Sequence, residues 1–371
     1  MRVDLLIFGQ GLAGTLVAWQ AHWRGLRVAI VDPGETETAS RVAAGIINPI
    51  TGRRLSQTWR LSELFPAAET FYARVAGDLG QAHYRRLPIL RGLDLDGQPE
   101  LWQRRLDRND GDRELVFAEG AQEMAQPDPD WFSPMGARFS TRVSGQLRVE
   151  AFLEASRDFF ETSQHVVTDR LETPEQIADH PSGVAWNGIE AEVALLSTGA
   201  APEGVPRGLK IRRARGDVLQ LALSGCPERR IVNRRGKWFL PPAEVNSSGR
   251  GIYLAGSTYD WDGCDPSPTK EGRRIVENSL AGILAPEISR RLSLPESDGG
   301  IVVGHRSAFR PVVHGSRLVA GRDPIRSGLA YFNGLGSKGV LNAPLFAGQL
   351  VDHLFGGAPL DPEINLDSYL S

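Results

Sequence analysis

Cysteine is nearly absent from this chain. Only Cys226 and Cys264 occur in 371 residues, and they make no C-x-x-C pair. That excludes a disulfide scaffold or a cysteine-rich zinc site and fits a reducing compartment. The seven histidines show no H-E-x-x-H or comparable ligand spacing, so no metal site is expected. An excess of charge of one sign is also missing. The formal net charge of -3 gives no global pull toward nucleic acid or an anionic membrane and leaves only local basic patches open. No uninterrupted apolar run reaches membrane-spanning length. The apolar start is broken by Asp4 and a glycine turn, well short of a signal peptide's design. A cytoplasmic protein is expected. Repeats, low-complexity tracts and linkers are missing too. What remains, 41% hydrophobic and 23% charged residues, is the balance of a globular enzyme too long for one small core.

The strongest positive signal lies at the beginning. Val3 to Ile7 is an apolar run of strand length. Gly9-Gln-Gly11-Leu12-Ala13-Gly14 follows, then a helical stretch from Thr15 to Arg24, then a second apolar run, Val28 to Val31, closing on Asp32. This is a βαβ unit carrying the dinucleotide fingerprint in its expected context. Gly9 permits the tight turn, Gly11 lets backbone approach a pyrophosphate, and Gly14 lets the helix press on the strand. The helix N-terminus offers free N–H groups and partial positive charge to phosphates, and Asp32 is placed to accept from ribose hydroxyls. Just beyond it, the small residues around Ser40-Arg41 and Ala43-Ala44-Gly45 read either as a surface loop or as backbone lying close to the ligand.

Helices are expected over 63–75, 148–163, 270–284 and roughly 340–355, with Pro344 tolerable only in the first turn of the last. A strand is expected at His165 to Val167, and a hairpin turning at Asn187-Gly188. Val193 to Leu196, ending in Ser197-Thr198-Gly199, suits a sheet edge over which a nucleotide lies. Between Leu209 and Gly256 a series of strands has antiparallel texture rather than βα alternation. Nucleotide-like pieces therefore sit at the start, middle and end, with antiparallel pieces inserted. The expected fold is mixed α/β: a discontinuous Rossmann-like nucleotide domain (1–80, 146–205, 300–371) interleaved with an antiparallel substrate domain (81–145, 206–299).

Five features in order carry a family resemblance: the Gly9/Gly11/Gly14 fingerprint with Asp32, the Ala44-Gly45 loop, the strand ending at Thr198-Gly199, Arg310-Pro311, and Gly334-Leu-Gly336-Ser337-Lys338-Gly339 before a terminal helix. Together they resemble the FAD-dependent amino-acid oxidases of the D-amino-acid, glycine and sarcosine oxidase type. The last motif is similar to the oxidase domain of the bifunctional enzyme that modifies wobble uridine in tRNA. The resemblance implies non-covalent FAD, with His305 leaving a covalent link open, and a small-molecule amine or amino-acid substrate. It also implies oxidation of a C–N bond by hydride transfer to flavin N5, followed by hydrolysis of the imine. Arg310 stands where the family grips the substrate carboxylate, which a guanidinium holds with two parallel hydrogen bonds. A structural ion pair is its alternative role, and Arg306 is the next candidate for the grip.

Two departures are visible. Trp238-Phe239-Leu240 stands where such oxidases tend to carry a tyrosine near the substrate, and the acid that usually follows Arg310-Pro311 is missing, with His314 nearby instead. Trp238 and Tyr259 are therefore candidates beside the substrate, Tyr259 for a hydroxyl or for packing. The terminal turn aims a helix starting near Ser337 at the flavin's pyrimidine edge, where charge gathers on reduction. Lys338 either adds to that field or faces solvent. An FAD-dependent hydroxy-acid dehydrogenase and a non-catalytic flavoprotein share these motifs and remain alternatives.

Overall fold

A computed structural model describes residues 1–108, 111–201, 205, 208–313, 315 and 317–370; His314 falls outside them. Arg2–Phe8 is the central strand of the first sheet, and Leu5 to Phe8 are buried on both faces. A strand covered on both sides needs such a continuous apolar run. Val28–Val31 pairs parallel on one side and Ile189–Leu196 on the other. His165–Val167 extends the sheet beyond Val28–Val31, and Leu329–Asn333 runs parallel to the end of Ile189–Leu196. The hairpin partner Gly183–Trp186 turns through Asn187 (φ 42°) and Gly188 (φ 78°), the paired left-handed residues of a tight hairpin.

Helix Leu12–His22 is buried almost all round because it lies between this sheet and the terminal helix Gly339–Gly356. Helix Val149–Ser163 closes one flank: Trp19 stacks on Phe159 at 4.6 Å and donates to Ser156 Oγ at 3.0 Å. Leu61–Leu79 packs along the terminal helix and is longer at both ends than the expected 63–75. Helix Lys270–Leu280 stops four residues before the expected Leu284.

The second sheet has seven strands in the order Val302–Val313, Ile211–Ser224, Arg250–Gly256, Lys237–Leu240, Ile231–Arg234, Ile89–Gly92, Arg138–Ser140. Its pairings are antiparallel, as the sequence texture implied, except that Ile231–Arg234 runs parallel to Ile89–Gly92. Helix Lys270–Leu280 covers its outer face through Val276 and Leu280. Val302–Val313 belongs to this sheet along its whole length, whereas the segment from 300 onward was expected on the nucleotide side. We propose a division in which the last nucleotide-side segment begins after residue 313.

Pro344 corrects another expectation. It is the sixth residue of Gly339–Gly356, beyond the first turn. A proline there cannot donate to the carbonyl four residues back, that of Val340. The Tyr72 hydroxyl donates to that carbonyl instead, at 2.8 Å.

Candidate active site

A cavity of about 460 Å³ opens where the parallel strands of the first sheet end and the inner face of the second begins. That is the position at which open α/β sheets bind ligands. Gly9, Gly11, Leu12, Ala13, Asp32, Ser40, Arg41, Ala44, Gly45, Thr198, Gly199, Gly336, Ser337 and Gly339 line it, as do Trp238 and Arg310. Segments more than 300 residues apart in sequence thus meet in one space. Gly14, Gly334, Lys338 and Tyr259 stand outside the lining.

The glycines explain themselves by contact. A Cβ on Gly9 would come within 2.7 Å of the Ser197 carbonyl oxygen, and one on Gly14 would overlap the carbonyl oxygen of Gly9. Gly14 is therefore the helix-to-strand packing glycine, not a lining residue. Gly45 (φ 70°) is pressed on the Leu147 carbonyl and accepts from Leu147 N at 3.0 Å. Gly334 packs on Val313, and Gly336 N donates to Pro311 O at 3.0 Å, tying the terminal turn to the strand that carries Arg310.

The nucleotide end is polar. Asp32 accepts from Gln10 N at 2.7 Å and Gly34 N at 2.8 Å, which fixes its carboxylate at the strand end. Ser40 Oγ accepts from Leu12 N at 2.9 Å, so this hydroxyl caps the fingerprint helix. Arg41 is directed at Glu154, 3.2 Å away. Among the lining residues that the sequence reading missed, two bear on Asp32. Arg157, on helix Val149–Ser163, reaches Gln10 Oε1 at 3.1 Å and stands 3.7 Å from Asp32. Gln10 sits inside the fingerprint and was passed over as a spacer, while Arg157 belongs to no motif. Gln10 Nε2 and Thr198 Oγ1 are fully shielded and lack partners among the described residues. Unpartnered buried polar atoms of this kind suit a polar ligand.

At the other end, Arg310 lies across Gly216, whose missing Cβ leaves room for the guanidinium. Nη1 donates to Thr258 O at 3.1 Å and Nη2 to Ser257 Oγ at 3.0 Å, while the Tyr259 ring packs 5.0 Å from the guanidinium carbon. Among the described residues no carboxylate pairs with Arg310, and burial pushes its pKa down. Lys237 donates to Ser257 O at 2.5 Å, and burial and then Arg310 depress its pKa as well. Trp238 is half-buried and packs with Leu254 against Val42, Val218 and Ala308 on the cavity side of the sheet. Lys338 is half-buried at the start of the terminal helix, and burial lowers its pKa.

Arg306, the second candidate for the grip, is committed elsewhere: it pairs with Glu37 at 3.2 Å and Glu150 at 3.0 Å. His305 is bonded to Asp217 at 2.9 Å and lies outside the cavity lining. Asp217 is fully buried. Burial alone would raise its pKa, but hydrogen bonds from His305 and Thr258 outweigh that and hold it below the usual carboxylate range. Among the described residues no cluster of His, Cys, Asp or Glu could hold a metal ion, and no helix is long and apolar enough to cross a membrane.

A Rossmann-like sheet with a glycine cradle, facing an antiparallel sheet across one cavity, defines a two-domain flavoenzyme fold. The chain belongs to the DAO family of FAD-dependent oxidoreductases, whose profile matches residues 4–353. It is 24% identical to glycine oxidase of Pseudomonas aeruginosa over 98% of both chains. It is 25% identical to the tRNA 5-methylaminomethyl-2-thiouridine biosynthesis bifunctional protein MnmC of Marinobacter nauticus, covering 94% of this chain but 55% of that protein. The chain thus spans about half the length of its bifunctional relatives. Among solved structures, iminodiacetate oxidase from Chelativorans sp. superposes with a TM-score of 0.74 at 21% identity, over 99% of this chain and 98% of that one. The protein is an FAD-dependent oxidoreductase, and its cavity fits the cofactor. The fingerprint, the two unpartnered atoms of Gln10 and Thr198, and Asp32 would suit the nucleotide, and Gly336, Ser337 and Gly339 of the terminal turn line the same cavity.

Proposed function

We propose that this enzyme oxidises the C–N bond of an amino acid or an N-substituted glycine-like amine, with FAD held non-covalently. One observation carries the reading: Arg310 lines the cavity beyond the glycine cradle, hydrogen-bonded to neutral oxygens and in ion-pair contact with no carboxylate among the described residues, Asp217 acting on it only through space. A buried guanidinium without a counter-ion is costly unless a ligand supplies one. A substrate carboxylate meets that need and can be held by two parallel hydrogen bonds.

The bound flavin supplies a two-electron acceptor. The protein supplies orientation. Arg310 fixes the carboxylate, its own position set by Thr258 O and Ser257 Oγ. Trp238, Val218 and Ala308 give an apolar wall that keeps water from the reacting carbon. Near Arg310 the described lining residues include no carboxylate or imidazole. Lys237, lowered in pKa beside Arg310, stands outside the lining, so a proton from the α-carbon has no acceptor among the described lining residues there, which favours departure of the hydrogen with its electron pair. The substrate nitrogen must then be uncharged, and the neighbouring Arg310 cation favours that state.

The test is anaerobic bleaching of the yellow holoenzyme by a panel of N-substituted glycines, D-amino acids, hydroxy acids and amines lacking a carboxylate. Bleaching by carboxylate-bearing amines alone is the expected result. Bleaching by hydroxy acids instead, or by dithionite only, overturns the proposal.

A further inference from the structure

A second concavity, of about 400 Å³, lies beside the first, and Phe309 lines both. Its walls include Arg212, Arg213, Trp261 and the exposed thiol of Cys264. A series of ring and guanidinium contacts leads to it from the carboxylate grip. The Arg310 guanidinium lies 5.0 Å from the Tyr259 ring, Tyr259 lies 5.1 Å from Trp261, and Trp261 is covered by Arg212 at 4.2 Å. Arg213 lies 5.9 Å from the Phe309 ring. Tyr259 and Trp261 are 46% and 38% exposed, an unusual degree of exposure for two adjacent large rings. Neither Arg212 nor Arg213 has an ion-pair partner among the described residues, whereas nearby Arg215 is paired with Asp260 at 2.7 Å.

We propose that this groove holds the distal part of the substrate: a flat ring carrying one anionic group, attached to the amine whose carboxylate Arg310 grips. The inference rests on the amine-oxidising reading of the cavity. Exposed aromatic faces backed by guanidinium groups favour a planar ligand. Arg212, on the same strand face as Arg310 and without an ion-pair partner among the described residues, favours an anion beside Trp261, while Arg213 faces the other side against Phe309. A long polyanion is disfavoured, because Asp262 and Asp265 flank the lining residues and repel further negative charge. The volume also suits a single ring system rather than a folded macromolecule.

The experiment compares N-methylglycine, N-benzylglycine and N-(4-carboxybenzyl)glycine as reductants of the holoenzyme. The charged ring is expected to give the highest kcat/KM, by roughly tenfold over the uncharged ring. In Arg212→Gln the ratio of carboxybenzyl to benzyl should fall toward one. In Trp261→Ala the ratio of benzyl to methyl should fall. A readout free of turnover is alkylation of Cys264 by N-ethylmaleimide, Cys226 being buried. The carboxybenzyl compound should slow it and N-methylglycine should not. Equal rate constants for the three amines together with unprotected Cys264 overturn the groove assignment while leaving the amine-oxidising reading intact. If no carboxylate-bearing amine bleaches the flavin, that reading falls, and protection of Cys264 decides the groove alone. Stronger protection by a single-stranded oligonucleotide than by the aryl carboxylate also overturns the small-ligand proposal.

Discussion

The Tyr72 hydroxyl donates at 2.8 Å to the Val340 carbonyl, the one acceptor in the terminal helix that Pro344 leaves without a backbone donor. Both groups are buried, and burial holds the Tyr72 phenol well above its ordinary pKa. Tyr72→Phe should therefore cost about 1–3 kcal/mol, the penalty of an unsatisfied buried carbonyl. Pro344→Ala restores a backbone donor at that point. The double variant should lose less stability than the sum of the single changes, measured by urea unfolding of the four proteins. Strict additivity would show that the two positions are not coupled.

Asp32→Ala should weaken FAD retention by about 1.5–3 kcal/mol, the worth of a hydrogen bond to a charged group. It also removes the more distant of the two carboxylates beside Arg157, which stands 3.7 Å from Asp32 and keeps Glu161 at 3.0 Å. Titration of apoprotein with FAD reads the effect, and an unchanged affinity would rule out a ribose contact at Asp32.

Arg310→Lys keeps the charge but loses the two-pronged geometry. Anaerobic flavin reduction by carboxylate-bearing amines should slow by roughly tenfold or more, equivalent to about 1.4 kcal/mol in the transition state, with an almost unchanged flavin spectrum. Release of FAD or unfolding would mark the residue as structural.

Gly216→Ala tests the same grip from behind. A methyl group there would overlap the Arg310 guanidinium and force it off its position over Tyr259. Substrate KM should rise by about tenfold, the scale expected when a positioning group is displaced, while FAD affinity holds. An unchanged KM would mean that the guanidinium is not where the substrate binds.

Acid sensitivity should centre on Asp217. Its folded pKa lies below the ordinary carboxylate value. Its contribution to stability is therefore complete above about pH 4 and is lost as pH falls through the folded value. Asp217→Asn should be less stable at pH 7 yet show a flatter decline below about pH 4. Thermal midpoints between pH 3 and 7 read both effects, and parallel acid limbs in the two proteins would contradict the assignment.

What could be read from the chain itself was local. The fingerprint, Asp32 and the Asn187-Gly188 hairpin are contiguous, and each residue type has a steric reason to stand where it does. Arg310 carried no such signal. Its unpaired state depends on Gly216, Ser257 and Thr258, which pairing between distant strands brings to it. Arg157 and the Tyr259–Trp261 stack are likewise products of packing. Pro344 misled because proline's cost was weighed only within its own helix, whereas Tyr72, far back in the chain, removes part of it.

The bond from Gly336 N to Pro311 O has a consequence for how this enzyme tolerates change in length. It makes the spacing between the substrate grip and the terminal turn a matter of strand register. Within Val302–Val313 successive side chains point to opposite faces, and Arg310 shares its face with Ala308 of the cavity wall. A single inserted residue between 304 and 309 that shifted the preceding residues would leave Arg310 in place and invert the wall. One inserted between Arg310 and Leu335 would move the turn instead. This stretch behaves as a ruler with one-residue graduations.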